Sequence, residues 1–100
     1  MRRDEIIASL KRAEPALREA GVDALYLFGS AARDEARSGS DVDIFVDPQS
    51  DERFGFLQYM DAYYAIMNAL GTNAEIGYST RAGLSHYIRA GVDKNTLRIF

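Results

Sequence analysis

The segment that most constrains this chain is Leu27-Phe28-Gly29-Ser30-Ala31-Ala32-Arg33, followed by Gly39-Ser40-Asp41-Val42-Asp43-Ile44-Phe45-Val46. An apolar run ends abruptly in Gly-Ser, a short helical stretch follows, and a second apolar run opens with two aspartates one residue apart. Residues i and i+2 of a strand point to the same side. Asp41 and Asp43 therefore present two carboxylates on one face, their Cα atoms roughly 7 Å apart by strand rise. A rigid carboxylate pair suits one or two hard divalent cations. A glycine–serine turn entering a helix suits an anion, because glycine lets the backbone approach closely and the first helical N–H groups point outward. An anion holder and a cation holder joined by one short helix are the parts needed to move a nucleotidyl group.

The remaining sequence supplies a scaffold for these parts. Ile6, Ile7, Leu10, Ala13 and Leu17 follow helical spacing from residue 3 to about 20, with Pro15 as a break or kink and Gly21 as the end. Residues 23–28 read as a central strand, apolar on both faces. Residues 30–37 read as a short helix capped by Ser30. Over 42–47, Val42, Ile44 and Val46 face a core while Asp41, Asp43, Phe45 and Asp47 face the other way, and Pro48 stops the strand. Residues 51–70 form the longest predicted helix, capped at Ser50 or Asp51. It carries two apolar stripes: Leu57, Met60, Tyr64 and Met67, and beside them Phe56, Tyr59, Tyr63, Ile66 and Leu70. One stripe suffices to pack on a sheet, so the other needs cover from the terminal helices, a second copy or a partner protein. A third strand is expected at 74–78, a short helix at 82–90 and a last short strand at 97–100. This order predicts an α/β fold, with a small mixed β-sheet of about four strands and helices packed mainly on one face.

One hundred residues predict a single domain over 1–100 with one modest core. A net charge of −3 and a pI near 5.0 argue against a broad electrostatic grip on nucleic acid. The chain has no cysteine, which excludes a disulfide framework and a thiolate zinc site. No apolar run approaches the ~20 residues of a membrane span, and the N-terminus lacks a signal-peptide core. A cytoplasmic protein is the expectation. His86 is the lone histidine and reads as a surface or partly buried residue.

The run Gly29-Ser30-x-x-Arg33, then Ser40-Asp41-x-Asp43, resembles the signature of the polymerase-beta-like nucleotidyltransferases, and most of all their minimal nucleotidyltransferase domains. Those small proteins are often paired with a helical HEPN protein in toxin–antitoxin modules. The resemblance covers nearly the whole chain and implies the same fold. It implies Mg²⁺ and ATP, with Asp41 and Asp43 as metal ligands and catalytic acids. In the family a third carboxylate sits on the strand after the long helix, usually an aspartate before an apolar residue; the matching position is Glu75, before Ile76. Glutamate is one methylene longer, a departure that shifts either the metal or the strand. The rival acid, Asp47, lies about 13 Å along the strand from Asp43, too far to share a metal. Gly29 and Ser30 are expected to hold the triphosphate. Ser40 either contacts it as well or shapes the turn before Asp41, and Arg33 either reaches the phosphates or ties its helix to a nearby carboxylate.

The resemblance points to an adenylyltransferase antitoxin that adds AMP from a nucleoside triphosphate to a hydroxyl of a HEPN toxin. The alternative is a binding module with a weak or vestigial site, neutralising its partner by contact alone. An antibiotic-modifying enzyme is a third class. It is disfavoured because such relatives carry an added domain to shape an acceptor pocket, and no sequence follows Phe100 to build one. Three retained acids favour the enzyme, since a pure binder has little need of them.

Overall fold

The fold begins at Arg3 and places its sheet behind three helices. In this computed structural model residues 2–33, 42–71, 74–84 and 96–100 are described. The elements in chain order are α1 (Arg3–Arg12), α2 (Glu14–Glu19), β1 (Val22–Phe28), α3 (Gly29–Ala32), β2 (Val42–Pro48), α4 (Phe56–Leu70), β3 (Ile76–Thr80) and β4 (Leu97–Arg98). The break near Pro15 is real: α1 stops at Arg12 and Pro15 sits in the first turn of α2, where its missing N–H has no helical partner to lose. The four strands form one sheet in the order β3-β2-β1-β4. β1 runs antiparallel to both β2 and β4, while β2 and β3 are parallel. The parallel pair needs a crossover, and α4 supplies it.

The core lies on one face. Ile6 and Leu10 of α1, Leu17 of α2, and Ala62, Ile66 and Leu70 of α4 pack with Leu25, Leu27, Val42, Ile44 and Val46 of the sheet. In β1 a register irregularity between Val22 and Ala24 lets Val22 join Leu25 and Leu27 in that core despite its odd offset. On its other face Tyr26 and Phe28 pack against Phe45, which is why β1 reads as apolar on both faces.

Several boundaries differ from the sequence expectation. The long helix starts at Phe56, behind a turn at residues 51–53, and its N-cap is Gly55 rather than Ser50 or Asp51. Gln58 accepts the Gly55 N–H through Oε1 at 3.0 Å, and that contact decides the start. Pro48 is the last residue of β2 rather than a stop before it. β3 is shifted two residues later than expected. The helix expected at 82–90 falls mostly outside the described residues, and 81–83 form a turn.

Of the two stripes on α4, the one through Tyr59, Tyr63, Ile66 and Leu70 meets the sheet. The Tyr59 ring lies 4.6 Å from that of Tyr78, and the Tyr63 ring 5.6 Å. The Tyr59 hydroxyl donates to the Tyr78 carbonyl at 3.3 Å, and the Tyr78 hydroxyl donates to the Tyr59 carbonyl at 2.9 Å. Phe56 drops out of this stripe and is 75% exposed.

Burial, and next the neighbouring Tyr59 phenol, raise the pKa of Tyr78 above its ordinary 10.0. The unfolded chain therefore releases this proton first as pH rises. Stability from the buried phenol is complete below pH 10.0 and is lost as pH climbs toward the folded value. Tyr78→Phe is expected to remove that alkaline loss while costing about 1 kcal/mol at neutral pH through the missing hydrogen bond. Urea unfolding of both proteins at neutral and alkaline pH measures it; parallel pH profiles would refute the assignment.

Candidate functional site

The residues expected to carry the chemistry lie on the face of the sheet away from the helices. β1 ends at Phe28, and Gly29 turns the chain with φ +73°, a conformation that favours glycine. α3 follows at once, so its N-cap is Phe28, which makes no side-chain capping bond, and Ser30 sits inside the helix. This corrects the expected cap at Ser30. Ala31 and Ala32 are buried and seat α3 against the core. Arg3 donates to the Ala32 carbonyl at 3.3 Å, satisfying an orphan acceptor at the helix end. Ser30 is half-buried and Arg33 exposed, with the Arg33 N–H donating to the Gly29 carbonyl at 3.3 Å.

Asp43 pairs with Phe28 on one side and with Gly77 on the other. Its half-buried side chain lies between two glycines. A Cβ built on Gly29 would collide with Oδ2 and lie 3.2 Å from Cγ; one built on Gly77 would lie 2.6 Å from Oδ1. The carboxylate thus occupies a cradle that a Cβ on either side would fill. It touches the turn expected to hold phosphate.

Glu75 is exposed and precedes β3; its carbonyl accepts the Val42 N–H at 2.7 Å. Its two-residue offset from Gly77 gives it the parity of Asp43's face. Asp41 and Ser40 lie outside the described residues. Among the described residues, which include Asp43 and Glu75, no three His, Cys, Asp or Glu side chains gather into a metal-holding group. The hard carboxylate oxygens of Asp43, held against the Gly29 turn, are donors of the kind that fit Mg²⁺.

Asp47, at the other end of β2, is engaged elsewhere: Arg81 Nε donates to its Oδ1 at 2.9 Å. The Arg81 guanidinium also lies 4.9 Å from the ring centres of both Tyr26 and Phe45. The hydrogen bond that Arg81 donates to Asp47 holds the Arg81 pKa above its ordinary value. Tyr26 stacks on Phe45 at 4.7 Å, and Leu84 packs on the same group. Phe45 faces away from the helices as expected, yet it is fully buried, in a second small core beside the site. A groove of about 450 Å³ opens at this end, between Asp47, Phe54 and Arg81, away from the Gly29–Asp43 contact.

Sequence reasoning missed Gly77. A signal was present, since an isolated glycine in a strand marks close approach of another group.

The chain matches the family model described as polymerase beta, nucleotidyltransferase, over residues 7–85. No curated protein matches it. A solved protein assigned as a minimal nucleotidyltransferase superposes with TM-score 0.80 at 25% identity, over 97% of this chain and 95% of its own. A toxin–antitoxin solved with AMP-PNP gives TM-score 0.64 at 18% identity, covering 100% of this chain and 73% of that one. A variant of the MntA–HpeT toxin–antitoxin with two aspartate-to-glutamate substitutions gives 0.61 at 16%, with the same coverage. The last two likenesses concern the fold alone. The mixed sheet, the helices on one face and the family match over most of the sequence lead to one conclusion: this chain belongs to the polymerase beta nucleotidyltransferase family.

Proposed function

We propose that this chain is a Mg²⁺-dependent nucleotidyltransferase that transfers AMP from ATP to a hydroxyl of a partner protein, acting in the cytoplasm as the antitoxin of a HEPN-type toxin. The observation that carries this reading is the Asp43 carboxylate lodged against Gly29: the proposed metal ligand and the proposed phosphate-binding turn share one contact. Asp41, Asp43 and Glu75 would hold the metal, which when bound supplies positive charge to the attacking and leaving oxygens. Gly29 and Ser30 would take the triphosphate, through backbone N–H groups and the serine hydroxyl. Arg33 and Ser40 would add contacts to it. The acceptor oxygen attacks the α-phosphorus, the bond from that phosphorus to the β-bridging oxygen breaks, and pyrophosphate leaves. The acceptor proton passes to a carboxylate of the site, and Glu75 is exposed enough to take it.

A protein acceptor is supported by two observations. Phe56, Leu57 and Tyr64 on α4 are 75%, 71% and 51% exposed, an apolar surface of the kind that partners cover. Two of the solved neighbours are described as toxin–antitoxin pairs, one of them with AMP-PNP. The test is to incubate the chain with its candidate toxin and ATP labelled at the α-phosphate. Label is expected on the toxin. Replacing Asp41 and Asp43 together by asparagine is expected to abolish labelling while the variant still melts cooperatively. Undiminished labelling by the double variant would overturn the mechanism. Restraint of the toxin with no label from either protein would establish the contact-only reading in its place.

A further inference from the structure

We propose that Gly77 is a positioning residue: its missing side chain sets the orientation of the Asp43 carboxylate from the neighbouring strand, and with it the metal affinity of the site. This inference rests on the reading of Asp43 as a metal ligand.

Gly77 lies directly opposite Asp43 in the parallel ladder. Its backbone does not demand glycine, for the positive-φ glycines are Gly21, Gly29 and Gly71. Glycine weakens a strand interior and contributes no packing there, so local conformation argues against it at this position. Space argues for it. A Cβ on Gly77 would stand 2.6 Å from Asp43 Oδ1 and 3.7 Å from Cγ, closer than the first contact can tolerate. The carboxylate has no retreat on the other side, because Oδ2 already fills the room a Cβ would need at Gly29. Any side chain at Gly77 therefore presses Oδ2 against the Gly29 turn, or rotates the carboxylate out of the cradle. Either movement changes the direction in which its oxygens face a cation. Groups that orient a metal ligand in this way commonly alter affinity by about 10–100-fold when changed.

The experiment is a double-mutant cycle of Gly77→Ala and Asp43→Ala on the full chain. It is read by thermal melting without metal and by Mn²⁺ binding followed through the electron paramagnetic resonance signal of the free ion. Gly77→Ala alone is expected to lower the melting temperature and weaken Mn²⁺ binding by about tenfold or more. In the Asp43→Ala background the same change is expected to leave the melting temperature unchanged or raise it, since the clash is gone and alanine suits a strand better. If Gly77→Ala fails to fold while the double variant folds, the cradle is equally supported. An equal loss of stability in both backgrounds, failure of both variants to fold, or unaltered Mn²⁺ affinity in Gly77→Ala would overturn the proposal. Wild-type Mn²⁺ binding by Asp43→Ala alone would instead refute the metal-ligand reading, and the melting cycle would still decide whether Gly77 positions the carboxylate.

Discussion

Gly29→Val is expected to abolish nucleotide binding and to destabilise the fold. Valine at φ +73° adopts a conformation that costs roughly 1–2 kcal/mol, and the overpacking against Asp43 adds about 1–3 kcal/mol. The combined loss of about 2–5 kcal/mol is a large share of the ~5–15 kcal/mol that holds a domain together. Two measurements separate the consequences. Urea unfolding reports the strain, and calorimetric titration with a nonhydrolysable ATP analogue and Mg²⁺ reports the site. A variant that unfolds like the parent and binds the analogue with the same affinity would move the nucleotide away from this turn. The expected effect on binding exceeds the effect on stability, because the added side chain takes space that Asp43 fills and that phosphates bound at the proposed site would require.

Phe45→Ala should cost about 3–5 kcal/mol. Phe45 is fully buried, stacked on Tyr26 at 4.7 Å and packed against Phe28 at 5.6 Å. Its removal empties the second core and loosens the support beneath Arg81 and Leu84. For a domain of this length the corresponding drop in melting temperature is about 12 °C or more. Phe56→Ala is the matched control. That ring is 75% exposed, and its loss is expected to stay within about 0.5 kcal/mol. Equal melting temperatures for the two variants would mean that the placement of both rings is wrong. Because Phe45 sits two residues from Asp43 on the same face, its loss is also expected to lower transfer activity at temperatures where the variant remains folded.

These two phenylalanines mark the boundary of what the chain discloses before it folds. Strand parity put Phe45 and Asp43 on one face and Val42, Ile44 and Val46 on the other, and the structure keeps that division. Parity says nothing of whether a face is covered. The cover comes from Arg81 and Leu84, more than 30 residues away. In the same way the helical period placed Phe56 on a stripe with Tyr59 and Tyr63, but a helix that begins only at Phe56 leaves its first residue beyond the edge of the sheet. Period alone does not choose which of the two stripes meets the sheet; the fold commits Tyr59 and Tyr63 to Tyr78.

Elements with local causes were legible from the chain: the apolar strands, the proline-split leading helix, the Gly29 turn, and a strand that turns Asp43 and Ile44 to different faces. Each follows from the geometry of neighbouring residues, which period, φ restriction and capping encode within a few positions. The folded chain alone sets β3 parallel to β2 in the register that places Gly77 against Asp43. It also decided that Asp47 is held by Arg81 and that Phe45 is core while Phe56 is surface. Those outcomes depend on contacts between segments remote in the chain, chosen by the packing of α4 across the sheet, and no local pattern contains them.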